Sequence, residues 1–359
     1  MNKSKRIFYF DVLRAIAITG IVFCHAAIFF LITGVNSSYF PVTAFFDCLR
    51  DFSIPIFVML SGALLLNRDD SLIKFFKKRL SRLLIPFLFW VLVYVAYASV
   101  YIWHGFNIKS SIDILLGTSG TLGVTFWFIW MIIICYLGIF AINKVIKFGN
   151  ERKENFDSIF IKILTGLSLI YILISEFGLF NPYFSRLVYF VSFISYIVIG
   201  YFIANNDYVG RKIDSKIIIA VTLVVSIILY SYYIFGFVVP QSTSSNHFVY
   251  KGYFNLLILV LSVNIFIFFK YLSKTKFLTN IESNNVGNAI TVFSNYSFGL
   301  YLCHYLIIYH LKINYTKFFL DQNFLISIPL LVIIVIVISL VILWILDKIP
   351  YLNRFSGKS

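Results

Sequence analysis

Residues 7–33 read IFYFDVLRAIAITGIVFCHAAIFFLIT, a stretch long and apolar enough to enter a bilayer that nevertheless carries Asp11, Arg14 and His25. Ionisable groups in hydrocarbon are expensive, so they face a bundle interior or a watery cavity and mark function. On a helix that advances about 100° per residue, the eleven steps from Arg14 to His25 amount to three turns plus about 20°. Both side chains therefore share one face, about 16 Å apart along the axis. Asp11 precedes Arg14 by three residues, the spacing at which opposite charges on a helix meet.

Nine further runs repeat that length, at 42–66, 83–103, 123–143, 161–180, 186–204, 216–237, 253–271, 291–311 and 324–346. The expectation is an all-α integral membrane protein of about ten transmembrane helices, with residues 1–359 forming one polytopic domain. The longest connections, of about 15–20 residues, are too short to bury a core of their own. The first run is not a cleaved signal peptide, because it is too long, it is charged within, and no small-residue cleavage site ends it.

A net charge of +15 would suggest a nucleic-acid partner in a soluble protein. Here topology accounts for it. Of the 30 Lys and Arg residues, 23 fall in the N-terminus, the tail and alternate connections; five lie in the opposite connections, and Arg14 and Arg50 lie within spans. The positive-inside rule then puts both termini in the cytoplasm of a multi-pass plasma-membrane protein, with no nucleic-acid partner. The four cysteines (Cys24, Cys48, Cys135 and Cys303) lie in apolar spans without metal or disulfide spacing, so no metal site is expected.

The connection at 67–82, NRDDSLIKFFKKRLSR, carries Arg79 and Arg82 three residues apart at the mouth of the third span. Two guanidinium forks on one face suit phosphate oxygens of an entering ligand. The same charge also suits anionic lipid headgroups. Asp47, Arg50 and Asp51 cluster near the start of the second span at helical-face spacing, where they either touch a substrate or brace the outer rim. Glu176 is a lone carboxylate in the fifth span; His104 and His310 fall at span edges, and His247 sits in a polar loop expected at 240–252.

Together these segments resemble the acyltransferase 3 family of integral membrane enzymes that O-acylate extracytoplasmic sugars. The family's first-helix Arg and His, with ten residues between them, stand here as Arg14 and His25 in FDVLRAIAITGIVFCH, preceded by Asp11. Its Arg-x-x-Arg pattern is matched by Arg79 and Arg82, and its second-helix run by SIPIFVMLSGALLL with Pro55, Ser61 and Gly62. Its fourth-helix run is matched by Trp127-Phe128-Ile129, and its late run by Ser297 through His304. Many relatives carry a further extracytoplasmic domain after the helices; this chain ends at Ser359 and looks like the stand-alone branch. A carboxylate near the tenth helix cannot be matched to the family pattern.

The resemblance implies an acyl-CoA donor, usually acetyl-CoA, on the cytoplasmic side. It implies an acceptor hydroxyl on a cell-envelope glycan or its lipid-linked precursor. Arg14, Arg79 and Arg82 would hold the donor, and Asp11 would fix Arg14 or neutralise its charge during insertion. His25 would act at the thioester, either as general base or as acyl-accepting nucleophile. Asp47, Trp127 and His304 are further site-lining candidates. Two rival classes stand beside the enzyme. A polysaccharide transporter or flippase fits the spans and the buried Arg, but lacks helix breaks at corresponding positions of two halves. A non-catalytic scaffold leaves Arg14 and His25 costly without purpose.

Overall fold

Each of the ten apolar runs is helical over most of its described residues, because a backbone in hydrocarbon must satisfy its own N–H and C=O groups. The computed structural model describes residues 6–31, 37–68, 71–118, 122–176, 186–207, 210–245, 249 and 252–358, and no strand occurs among them. In chain order the helices are α1 (Phe8–Phe30), α2 (Phe40–Asp47), α3 (Leu49–Leu65), α4 (Leu72–Tyr101), α5 (Ile108–Leu116), α6 (Trp127–Asn150) and α7 (Phe156–Glu176). There follow α8 (Arg186–Ser192), α9 (Ile194–Asn205), α10 (Ser215–Ser231), α11 (Val239–Ser245), α12 (Leu256–Leu272), α13 (Lys276–Glu282), α14 (Asn285–Leu320) and α15 (Phe324–Lys348).

Among the described residues, eight helical segments are long and apolar enough to cross a membrane, and α12 with α13, bent by 80°, makes a ninth if the pair is one span. Helix α14 carries the run at 291–311 within 36 residues of helix and is not one of these segments. Its length includes Ser294, Asn295, Ser297 and His304, and three of these four are buried against neighbouring helices. A polar helix survives in such a bundle by facing protein rather than lipid.

Helix α1 is the hub, packed against α14, α3, α2, α15 and α12. Ala17, Ala26 and Ala27 on α1 are fully buried, and small residues let helix backbones approach. The tightest crossing is between α3 and α9. A Cβ on Gly62 would lie 1.9 Å from the Ile197 carbonyl oxygen, and one on Gly200 would lie 2.2 Å from that of Met59. The outer surface is apolar instead: Val221, Val224, Ile227 and Ile228 of α10 and Ile333, Val337 and Val341 of α15 are exposed, as lipid requires.

Three segments differ from the expectation drawn from sequence. The connection at 67–82 is not a loop beyond residue 71: α4 begins at Leu72, so Arg79 and Arg82 ride on a helix. The reason is Phe75, which is buried against Tyr136 and Phe140 of α6 and draws the segment into helical packing. The second run divides at Cys48 into α2 and α3, next to the cluster of Asp47, Arg50 and Asp51. The seventh run continues through a π-helical segment, Tyr232–Val238, into α11, so the polar loop expected from residue 240 is helical to Ser245. His247 lies outside the described residues.

Both termini meet at one end of the bundle. Arg6 donates to Asn295 Oδ1 of α14 at 2.8 Å. The tail folds back, with Phe355 stacked on Phe89 at 4.5 Å and Lys358 Nζ donating to Asp347 at 2.6 Å. The Asp347 carboxylate holds the Lys358 ammonium above its usual range. Gly299 admits this tail, because a Cβ there would sit 2.0 Å from the Ser356 carbonyl oxygen.

Candidate functional site

Arg14 and His25 open into two different cavities that meet on α1. The first, of about 540 Å³, is lined by His25, Arg50, Trp127, Tyr253, Tyr305 and their neighbours. The second, of about 560 Å³, is lined by six cations (Arg6, Arg14, Arg68, Arg79, Arg82 and Lys358), and none of its described lining residues is a carboxylate. Ile21 borders both. Consecutive residues of α6 divide between them, Trp127 facing the aromatic cavity and Phe128 the basic one. Tyr305 and Tyr301 of α14 divide in the same way. Both volumes fall in the range of small-molecule sites.

The basic cavity lies at the end where the termini meet. Behind it Asp11 is buried and gathers three donors. Arg6 reaches it through Nε at 2.5 Å and Nη2 at 2.9 Å, Arg14 through Nη1 at 3.1 Å, and Ser294 of α14 through its hydroxyl at 2.9 Å. One carboxylate serving two guanidinium groups leaves net positive charge facing the cavity. It also ties the start of α1 to α14, so Asp11 orients Arg14 as the spacing of three residues predicts, without itself lining the cavity. Arg6, counted in the sequence only among the N-terminal cations, also lines the basic cavity.

The aromatic cavity is built around His25. The His25 ring lies 5.3 Å from that of His304 and 5.2 Å, edge to face, from that of Tyr305, centroid to centroid. Trp127, at the first position of α6, stacks with Tyr253 at 6.2 Å. Arg50 enters the same cavity with its charge answered from behind, by Asp47 at 3.4 Å and Asp51 at 3.5 Å. Asp51 in turn accepts from the Tyr233 hydroxyl at 2.7 Å, and Asp47 from the Cys24 thiol at 3.4 Å. The π-helical segment carries Tyr233, and such segments recur at functional sites.

Of the residues predicted from sequence, Arg14, Arg79 and Arg82 line the basic cavity, and His25 and Trp127 the aromatic one. Asp11, Asp47 and His304 stand one layer back, all buried. For the cluster at 47–51, the group in the cavity is Arg50, and the two carboxylates position it. Glu176 accepts from Asn255 and from the Leu256 backbone N–H, so it braces the start of α12. His104 and His310 are exposed, with His310 Nδ1 within 3.1 Å of the Tyr97 hydroxyl. Arg50 belongs to the cluster whose spacing marked it in sequence, whereas Tyr253 and Tyr305 were not singled out and nothing in their local spacing marks them. The three reach one cavity from three separate helices or their flanks.

The sequence pattern of the acyltransferase 3 family, described as an acyltransferase domain, matches residues 7–345. Over 132 residues the chain is 30% identical to the nodulation protein NolL of Mesorhizobium japonicum (strain LMG 29417 / CECT 9101 / MAFF 303099), and it covers 34% of that protein's length. No solved structure matches the chain. A family match across nearly the whole chain and an all-helical bundle with eight membrane-length segments among the described residues lead to one conclusion: the chain belongs to the acyltransferase 3 family and is a multi-pass membrane protein.

Proposed function

We propose that the protein moves an acyl group, acetyl in the simplest case, from acyl-CoA to a hydroxyl of a cell-envelope glycan or its lipid-linked precursor. In this reading ten helices cross the plasma membrane with both termini in the cytoplasm, and the donor enters the basic cavity from that side. The observation that carries the reading is the pair of cavities meeting at Ile21, one lined by six cations and the other holding His25 among aromatic walls. Guanidinium forks suit the phosphates of a nucleotide thioester. Stacked aromatic faces with a few polar groups suit a sugar ring. The span of about 16 Å along α1 from Arg14 to His25 suits the narrow arm of the donor between them.

In the transfer step the His25 imidazole takes the proton of the acceptor hydroxyl as its oxygen bonds to the thioester carbonyl carbon. The carbon–sulfur bond then breaks, and the departing CoA thiolate recovers the proton from His25. The acceptor leaves as an ester and CoA as a free thiol. Arg50, fixed by Asp47 and Asp51, is the cation on hand to face the carbonyl oxygen as it gains negative charge.

The test is acetyl transfer or hydrolysis from labelled acetyl-CoA by purified protein, combined with mass spectrometry of envelope glycans from a deletion strain. His25→Ala is expected to lower transfer by about 10²- to 10⁴-fold, the usual contribution of general acid–base catalysis. Full activity in that variant removes His25 from the chemistry. Glycan export without any acyl product would instead favour a transporter.

A further inference from the structure

The second imidazole of the site is His304, which lies behind His25 and is fully buried. Its Nδ1 is 3.0 Å from the Leu300 carbonyl oxygen and 2.8 Å from that of Tyr301, one turn earlier on α14. Carbonyl oxygens only accept, so Nδ1 carries the ring proton and Nε2 is left as a bare acceptor. That Nε2 is buried with no hydrogen-bond partner among the described residues, and the same holds for Nδ1 of His25. Leaving either nitrogen unpaired in a buried site is costly. The two rings are 5.3 Å apart between centroids and inclined by 37°. The broad ring torsion of histidine can close the gap to hydrogen-bond length.

The other groups around His25 do not compete for this proton. Arg50 can only donate, and the Cys24 thiol is turned to Asp47. Tyr305 packs edge to face against the His25 ring. We propose that His304 is a positioning residue: it accepts from Nδ1–H of His25, fixing that tautomer and leaving Nε2 of His25 as the lone pair offered to the acceptor hydroxyl. The backbone of α14 sets the His304 tautomer, His304 sets that of His25, and His25 meets the substrate. Tyr301 ties this part of α14 to the cavity waist, its hydroxyl donating to the Thr125 carbonyl two residues before Trp127. A neutral partner of this kind orients the base in the way the carboxylate does in nucleophile–base–orienter triads.

The inference rests on the acyl-transfer reading for its consequence, but its first readout is independent of activity. Full-length protein labelled with ¹⁵N-histidine in lipid nanodiscs, with the His25 signals assigned by their loss in His25→Gln, reports which nitrogen is protonated. The expected result is His25 protonated at Nδ1 in the unmodified protein and redistributed between both nitrogens in His304→Ala. In turnover, His304→Ala is expected to lower kcat by about 10- to 100-fold, part of what a general base supplies, with KM for acyl-CoA little changed. His304→Gln, whose amide oxygen can accept from His25, should recover part of the loss. His25 protonated at Nε2 in the unmodified protein, or an unchanged tautomer and rate in His304→Ala, overturns the proposal. If His304→Ala does not fold, the tautomer of the unmodified protein and the His304→Gln rate decide it. An unmodified protein without acyl transfer would sink the functional reading and leave the tautomer measurement standing.

Discussion

Arg50 and the pair Arg79 and Arg82 are all guanidinium groups at cavity walls, yet their surroundings assign them different work. Arg50 has carboxylates at 3.4 and 3.5 Å, so its position is held by the protein and its charge is largely answered before any ligand arrives. Arg79 and Arg82 border a cavity that gathers six cations and no lining carboxylate among the described residues, so they are suited to a polyanion. A charge-assisted hydrogen bond contributes about 1.5–3 kcal/mol. Arg79→Ala with Arg82→Ala should therefore raise the Kd for acyl-CoA by at least about tenfold, while the affinity for the acceptor changes less. Calorimetric titration with CoA checks this. An unchanged CoA affinity would assign the pair to lipid headgroups, the other reading of the same charges.

At the scale of elements, the site depends on how closely α1, α3 and α9 approach, and glycine sets that distance. Gly20 on α1 faces α3, where a Cβ would sit 2.3 Å from Ser53 Oγ. At the crossing of α3 with α9, Gly62 and Gly200 each meet backbone of the other helix, and backbone cannot swing aside as a side chain can. Gly62→Ala must push the helices apart, and overpacking of this kind costs about 1–3 kcal/mol. A fall in the thermal unfolding midpoint of detergent-solubilised protein is expected. Gly166→Ala on α7, where a Cβ meets nothing within 4 Å, is the control that should leave the midpoint in place. Equal midpoints for both variants would remove the close-packing account of α3 and α9. The same crossing holds Ser61 against the basic cavity, so the variant should also loosen that wall.

The whole molecule is a bundle in which two cavities of different lining lie along α1. Cations collect at the end carrying the termini, aromatic walls and His25 lie further along α1, and Ile21 borders both. In the proposed function, this separation would let a charged donor and a neutral, ring-shaped acceptor bind without either crossing the apolar shell. In the proposed reading, Ile21 is thus the place where transfer can be blocked while the cations of the one cavity and His25 of the other are left unchanged. Ile21→Trp is expected to leave CoA binding within about twofold of the unmodified protein, a change of less than about 0.5 kcal/mol. The same variant should abolish acyl transfer to the acceptor, as read by mass spectrometry of the product. Transfer at the unmodified rate in this variant would mean that donor and acceptor meet elsewhere.

The helices, the family and the polar stripe of α1 were legible in the amino-acid sequence, because each depends on local signals. A membrane-length apolar run must become helix, and residues three or eleven apart on it share a face whatever surrounds them. Arg14, His25, Arg79 and Arg82 could therefore be named in advance from their spacing, and Trp127 from the family resemblance, and all five line a cavity. What only the tertiary structure decided is which distant side chains complete those walls and which stand behind them. Arg6 and Lys358 join Arg14 because both termini fold onto α14 and α15, and Tyr253 joins His25 from 228 positions away in the chain. Asp47 and His304 look like site residues in sequence and become supports in space. The neighbouring Arg50 stands in front of Asp47, helix packing brings the His25 imidazole in front of His304, and nothing in a linear spacing encodes depth.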